Sequence, residues 1–463
     1  MNMDQIKFGT DGWRAIIADT YTVENVRRVA QGTALWMQQK QMKSIVIGHD
    51  CRFGGKLFVD EAVKVFAANR ITCHYALGFV STPMVSLGVL HCKADMGVVI
   101  TASHNPPDYN GFKLKSSYGG PTIPADIAEI EKLIPSTKVS VEGPGDSNQL
   151  VHQIDLEEIY YQHVISNFNL KIIQEKTSVA YDAMYGAGQR IMNRLFPNLK
   201  SFHSEWNPGF QNTAPEPITK NLGEIIQFLQ KNPNQYTAIA TDGDADRICM
   251  LDPMGNMVDS HHILLLLVHY LAGHKKMKGK IVVSFSVTNK LKKLADYYGL
   301  ELVVTQIGFK YIAEYMIKED VLVAGEESGG LAIKGHIPER DGVWIGLTIL
   351  EFMGITGKSI SELIAEVYQI TGAFAYDRLD LHLNENKMQE IKEKLNSQTI
   401  QKWGKFNVIN FENLDGQKYY FNNDAWLMFR ASGTEPVLRI YAQSETMDGV
   451  KEIHASAREL LGC

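Results

Sequence analysis

The sequence predicts an α/β protein: three similar mixed-sheet α/β domains followed by a C-terminal α+β domain. Three observations carry this. Short apolar runs alternate with helix-length segments up to about residue 372, the pattern of a mostly parallel sheet covered on both faces. That stretch divides into units with one plan. Each opens on a strand (at Ile45, Val179 and Ile281) and closes on a strand whose C-terminal end carries polar residues (at Ser103, Asp242 and Glu326), a divergent internal triplication. From about Ala373 onward strands predominate in the middle of the segment, as in a small antiparallel sheet. The predicted domains are 1–150, 151–255, 256–372 and 373–463. Ligands of open α/β sheets sit beyond the carboxyl ends of strands, so the three polar strand ends can converge on one cleft.

In the first domain the sequence predicts a helix from about Val23 to Lys40, a strand from Ser44 to Gly48, a helix from Lys56 to Asn69 and short strands at Ala76–Val80 and Met96–Ile100. The last strand runs into Thr101-Ala102-Ser103-His104-Asn105-Pro106. Pro106 and Pro107 force a turn there, because proline fixes φ and bars the helical region to the residue before it. Ser103 is thereby presented on a stiff loop beside His104. A short helix, Asp126 to Leu133, and a turn-rich linker at 134–152 complete the domain. The second is predicted to hold helices near 156–168, 189–195 and 221–232 and strands near 178–181 and 236–240, the latter ending in Thr241-Asp242-Gly243-Asp244-Ala245-Asp246-Arg247. The third has predicted helices near 260–272, 288–298 and 311–318, a helix from Trp344, and strands near 280–284, 302–305 and 321–324. Its last strand leads into Gly325-Glu326-Glu327-Ser328-Gly329-Gly330. The final domain carries predicted strands near 379–383, 418–421, 425–429 and 437–441 and helices near 386–397 and 446–461. Arg430-Ala431-Ser432-Gly433-Thr434 lies between two of its strands.

Composition narrows the function. A net charge of −6 argues against a general nucleic-acid binder. The five cysteines are scattered with no CxxC spacing, so neither a disulfide framework nor a zinc cage is suggested, which fits a reducing cytoplasm. No apolar leader precedes Phe8, and the longest aliphatic run, Ile263 to Val268, is far below the ~18 residues of a membrane span. The expectation is a cytoplasmic protein without a membrane or nucleic-acid partner. Monomer and dimer stay open.

The loops specify chemistry. Asp242, Asp244 and Asp246 set three carboxylates at alternate positions on a short Gly-containing loop, a hard-cation site for which Mg2+ is the default. An EF-hand fails, since Arg247 and Pro253 stand where it needs Gly and Glu. Backbone N–H groups around Gly433, the hydroxyls of Ser432 and Thr434, and Arg430 make a phosphate cradle, with Arg439 as a second fork. Glu326 and Ser328 between glycines suit sugar hydroxyls. A serine nucleophile beside a divalent metal, with Arg14, Lys113, Arg247 and Lys310 to offset charge, describes phosphoryl transfer.

These motifs resemble the α-D-phosphohexomutase family over nearly the whole chain. Phe8-Gly9-Thr10-Asp11-Gly12-Trp13-Arg14 is similar to its N-terminal signature, residues 101–106 to its phosphoserine loop, 242–247 to its metal loop, 325–329 to its sugar loop and 430–434 to its phosphate loop. The resemblance implies four domains around a central cleft. Ser103 would work as a phosphoserine beside Mg2+ on Asp242, Asp244, Asp246 and Ser103 itself. It would pass its phosphoryl group to O6 of a hexose 1-phosphate. Glucose 1,6-bisphosphate would then turn over in the cleft, and the O1 phosphoryl would return to Ser103. Arg14, His104, Lys113 and Arg247 would flank the phosphoserine, with Lys113 a plausible acid/base. Lys310, Glu326 and Ser328 would meet the sugar, and Arg430, Ser432, Gly433, Thr434 and Arg439 the phosphate that stays. Glu327, Gly330 and Phe309 resemble the phosphoglucomutase branch, which predicts glucose 1-phosphate and glucose 6-phosphate as substrates over mannose or glucosamine phosphates, with a phosphomannomutase or dual glucose/mannose mutase as the alternative. A metal-dependent phosphatase and a non-catalytic sugar-phosphate sensor are the rival readings. The first would admit water to the site, and the second would lack the nucleophile or a metal ligand.

Overall fold

A computed structural model describes residues 5–139, 149–397, 400–431 and 437–462. The first sheet has six strands in the order Trp13–Ile16, Tyr109–Ser116, Met96–Ile100, Ser44–His49, Thr72–Ala76, Val151–Ile154. Tyr109–Ser116 is antiparallel to both its neighbours, and the other adjacent pairs are parallel. The second sheet runs Met257–Val258, Ile248–Leu251, Thr237–Thr241, Val179–Asp182, Lys200–Phe202. The third runs Leu302–Thr305, Lys280–Ser284, Val321–Gly325, Leu331–Ile333. The last domain holds an antiparallel sheet ordered Ala375–His382, Val437–Ser444, Trp426–Ala431, Gln417–Tyr420, Asn410–Glu412. Three mixed-sheet α/β units and a terminal α+β unit are thus the observed architecture.

The repeat is visible in the sheets. Met96–Ile100, Thr237–Thr241 and Val321–Gly325 are each buried at every residue, because helices cover both faces and leave no side for polar groups. Each leads through its loop into an antiparallel neighbour: Tyr109–Ser116, Ile248–Leu251 or Leu331–Ile333. The loops that carry Ser103, Asp242 and Glu326 therefore occupy the same hairpin position in three units.

The structure corrects several predicted elements. The strand read at 76–80 lies at Thr72–Ala76. Ser81-Thr82-Pro83 starts a helix, Thr82–Cys92, with the Ser81 hydroxyl accepting from Met84 N at 3.3 Å and Pro83 in the first turn. Thr82 to Val89 are all buried, so the segment has no polar face and no 3.6-residue period to read. The linker read at 134–152 ends in the strand Val151–Ile154, which extends the first sheet past residue 150; residues 140–148 lie outside the described residues. The helix read at 260–272 is α-helical over Ser260–Val268 and π-helical over His269–His274.

The largest core cluster runs through all three α/β units, with Val46, Val85 and Val99 of the first and Leu264, Leu266, Leu347 and Leu350 of the third inside it. Among the described residues no single helix is long and apolar enough to cross a membrane. The last domain docks on the third: Lys418 Nζ donates to Phe285 O at 2.9 Å and Val287 O at 3.2 Å, and Asp415 Oδ2 accepts from Ile307 N at 2.8 Å.

Candidate active site

Ser103 is wholly buried and held at φ 54°, a left-handed conformation costly to a side chain with a Cβ. Its surroundings impose it. Ser103 N donates to Thr101 Oγ1 at 2.8 Å, and Thr101 Oγ1 donates to Asp50 Oδ2. Arg52, also wholly buried, donates to the carbonyls of Ser103 and Asn105 at 2.6 Å each, Pro106 at 2.7 Å and Tyr109 at 3.0 Å. Arg14 Nη1 donates to Asn105 Oδ1 at 2.7 Å. The loop is thus pinned from outside by two arginines, and Ser103 Oγ is left to donate to Asp242 Oδ2 at 2.6 Å, with His104 Nδ1 at 3.5 Å. Burial and the Arg247, Arg14 and Lys113 charges push His104 well below its ordinary pKa, so its ring is neutral at pH 7.

The aspartate loop abuts the serine loop. A Cβ on Gly243 would stand 2.5 Å from Ser103 O, so only glycine permits this approach. Lys113 Nζ lies 2.7 Å from Asp11, 2.8 Å from Asp244 and 3.0 Å from Asp246. Arg340 reaches Asp11 and Asp246 at 2.7 Å each. Burial alone would lower the Lys113 pKa, but the three carboxylates outweigh it and hold the ammonium well above its ordinary value. Burial likewise raises Asp244, and Lys113 and Thr82 overcome that to hold it well below. Asp242 goes the other way: burial, then repulsion from Asp244 and Asp246, pushes it well above the carboxylate range.

The aspartates fit a metal. Each offers one oxygen, and the three oxygens lie within 4.8 Å of one another. Asp244 Oδ1 and Asp246 Oδ1 are buried without a hydrogen-bond partner, a costly state for an anionic oxygen. An all-oxygen donor set of three carboxylates suits Mg2+, and a dication would relieve both the orphaned oxygens and the repulsion on Asp242.

The Gly325–Gly330 loop closes on the aspartate loop. Gly329 O accepts from Ile248 N at 3.0 Å, and Arg247 bridges to Gly330. Glu326 Oε1 accepts from Gly308 N at 2.8 Å, which joins this loop to Gly308-Phe309-Lys310. Burial raises Glu326, opposed by Arg340 and Arg247. Lys310 is half-buried with its ammonium over the Tyr311 ring, and Ser328 is half-buried. Glu327 faces the last domain, whose Arg378 donates to it at 3.3 Å. A cavity of about 720 Å3 beside the loop is lined by Glu327, Ser328, Gly329, Glu216 and Arg378. In the last domain Arg430 and Arg439 are direct partners on adjacent strands, and Arg430 Nε donates to Asp415 at 3.1 Å. Ser432, Gly433 and Thr434 lie outside the described residues.

The structure therefore gathers Ser103, His104, Arg14, Lys113 and the three aspartates at one centre, with Arg247, Glu326 and Ser328 joined to it through backbone pairing. Sequence reasoning missed Asp50, Arg52 and Arg340. A signal existed for the first two, since both sit at the C-terminal end of the parallel strand Ser44–His49.

Four family models match the chain in order. They are phosphoglucomutase/phosphomannomutase alpha/beta/alpha domain I at 5–139, domain II at 158–255, domain III at 259–370 and the C-terminal domain at 384–460. A phosphoglucosamine mutase of Methanococcus maripaludis is 29% identical over 96% of both chains. A phosphoglucomutase/phosphomannomutase of Thermococcus kodakarensis is 27% identical over 96% of both. The crystal structure of a protein described as a putative phosphomannomutase from Thermus thermophilus superposes with a TM-score of 0.89, at 32% identity and full coverage of both chains. With its serine, aspartate and sugar loops meeting at one centre, the chain belongs to the phosphoglucomutase/phosphomannomutase family, the α-D-phosphohexomutases, and is a mutase of that family.

Proposed function

We propose that the chain interconverts glucose 1-phosphate and glucose 6-phosphate by carrying a phosphoryl group on Ser103. One observation carries the reading above all: Ser103 Oγ stands 2.6 Å from Asp242 Oδ2, in a loop whose Asp244 and Asp246 keep buried oxygens free. Asp242, Asp244 and Asp246, with Ser103, would hold Mg2+, which when bound supplies charge neutralisation for the transferring phosphoryl group. The phosphoryl leaves Ser103 Oγ for O6 of the hexose 1-phosphate. The bisphosphate reorients, and its O1 phosphoryl returns to Ser103 Oγ.

The side chains support a division of labour. Arg52 and Arg14 fix the loop backbone. Lys113, held charged by Asp11, Asp244 and Asp246, serves better as a fixed positive charge than as a proton donor. Neutral His104 can hydrogen-bond the serine oxygen without setting a further positive charge beside the metal site. Glu326 and Ser328 support binding of sugar hydroxyls, with Lys310 nearby. Arg430 and Arg439, paired across two strands, support binding of the phosphate that is not transferred, together with Ser432, Gly433 and Thr434. The seal of the metal loop by the sugar loop favours a mutase over a phosphatase, since transfer to a sugar needs water kept out.

A second reading has a specific observation behind it. The M. maripaludis relative is a phosphoglucosamine mutase, and Glu327, which had pointed to glucose, pairs with Arg378. Glucosamine phosphates are therefore the competing substrates. A coupled assay comparing kcat/KM for glucose, mannose and glucosamine 1-phosphates decides. Glucose 1-phosphate is expected to lead, and a tenfold advantage for glucosamine 1-phosphate would replace it.

A further inference from the structure

The helix Ser260–Val268 does not end as an α-helix. Its last turn, His269–His274, is π-helical, with bonds running five residues back. On an α-helix, residues five apart would point about 140° away from each other. The π turn instead brings His269 and His274 together, with ring centroids 5.3 Å apart. π turns inside helices cluster at functional sites, and no catalytic residue lies in this one.

A third donor faces the pair. Glu366, from the helix Ile360–Thr371, places Oε2 3.4 Å from His269 Nε2. One ligand atom from each of His269, His274 and Glu366 lies within 4.8 Å of the others. Tetrahedral zinc, with bonds of 2.0–2.1 Å, sets its ligands about 3.4 Å apart, which matches the His269–Glu366 edge. His269 is also oriented from behind. Its Nδ1 meets Tyr298 OH at 2.6 Å, the arrangement that fixes the ring of a metal-bound histidine. The contact needs Gly273, since a Cβ there would stand 2.7 Å from the Tyr298 oxygen. The other Glu366 oxygen is held by Lys358.

We propose that His269, His274 and Glu366 form a second metal site that takes a divalent transition ion of the zinc type, with Tyr298 as its positioning residue. Two imidazoles and one carboxylate prefer such an ion to Mg2+. Lys358 offsets the carboxylate charge, so a hard ion drawn by charge alone gains little. The bound ion would tie the π turn to the helix that leads into the C-terminal domain.

The test is equilibrium dialysis of the chelator-stripped full chain against Zn2+, with Mg2+ in large excess to fill the aspartate loop. One Zn2+ per chain is expected. His274→Ala, at an exposed position, and the near-isosteric Glu366→Gln should each weaken binding about tenfold or more, and Tyr298→Phe about tenfold. X-ray absorption of the zinc-loaded protein should show two imidazole ligands, and Mg2+-dependent mutase activity should be retained in His274→Ala. No zinc uptake by the wild type, or equal stoichiometry and affinity in His274→Ala and Glu366→Gln, would overturn the proposal.

Discussion

Arg52 is the side chain on which the placement of Ser103 most depends, and Arg52→Lys isolates its geometry from its charge. The guanidinium donates to four carbonyls of the serine loop, those of Ser103, Asn105, Pro106 and Tyr109, and faces Asp50 at 3.4 Å. Lysine keeps the charge but has one nitrogen, which can serve about two of these acceptors. The Ser103 carbonyl is buried and the other three are partly so, and each acceptor left unsatisfied costs up to about 1–3 kcal/mol. Partial relaxation brings the expected loss to about 2–4 kcal/mol. Relaxation moves the loop, and a displacement of about 1 Å at a reacting atom lowers kcat about 100-fold. Two assays read this. Urea unfolding should show a lower midpoint at an unchanged slope. Steady-state kinetics with hexose 1-phosphate and Mg2+ should show a fall in kcat with KM nearly constant, because Arg52 touches none of the sugar-binding residues. A variant with the wild-type midpoint and kcat within about threefold of wild type would refute the loop-pinning role.

Three other outcomes are expected. Burial raises the Asp50 pKa from 3.8 to about 6. Between those values the folded chain keeps a proton that the unfolded chain has released. Stability should therefore fall as pH rises through this window, by at most about 3 kcal/mol, and level off above it. The wild type should show this slope in urea midpoints and Asp50→Asn should not; parallel curves would contradict it. Gly243→Ala should cost about 100-fold in kcat by forcing the metal loop off Ser103 O, and a near-normal rate would show that the two loops have slack. Glu327→Gln should leave the ratio of kcat/KM for glucose and glucosamine 1-phosphates unchanged, since its carboxylate engages Arg378; a shifted ratio would return Glu327 to the sugar site.

The fold was legible where burial wrote a simple pattern. Met96–Ile100 and Val321–Gly325 are covered on both faces and read as apolar runs, and their polar continuations announced the loops. Thr82–Cys92 was lost for the same physical reason: buried on nearly all sides, it shows no period. Tyr109–Ser116 was lost because it follows a proline turn and carries Lys113 and Lys115, both buried, whose charges break the apolar run of a buried strand and are met by Asp11, Asp244 and Glu339. The site divides likewise. Ser103 and the three aspartates were legible because each motif is local in the chain. Arg340 was not, because its role arises only when distant segments meet, and Arg52 had only its place at a strand end to mark it. The partner of Glu327 was not legible, since Arg378 reaches it from the last domain and no local motif joins the two.

The most direct test of the phosphoserine mechanism is transfer of radiolabel in a single turnover. The dephosphorylated protein is mixed with 32P-labelled glucose 1,6-bisphosphate and Mg2+, quenched, and mapped by peptide sequencing. Label is expected on Ser103 alone, transferable to unlabelled hexose 1-phosphate with little free phosphate. In Ser103→Ala both labelling and mutase turnover should be abolished while hexose-phosphate binding persists. Mutase activity retained in Ser103→Ala, or label on another residue, would contradict it.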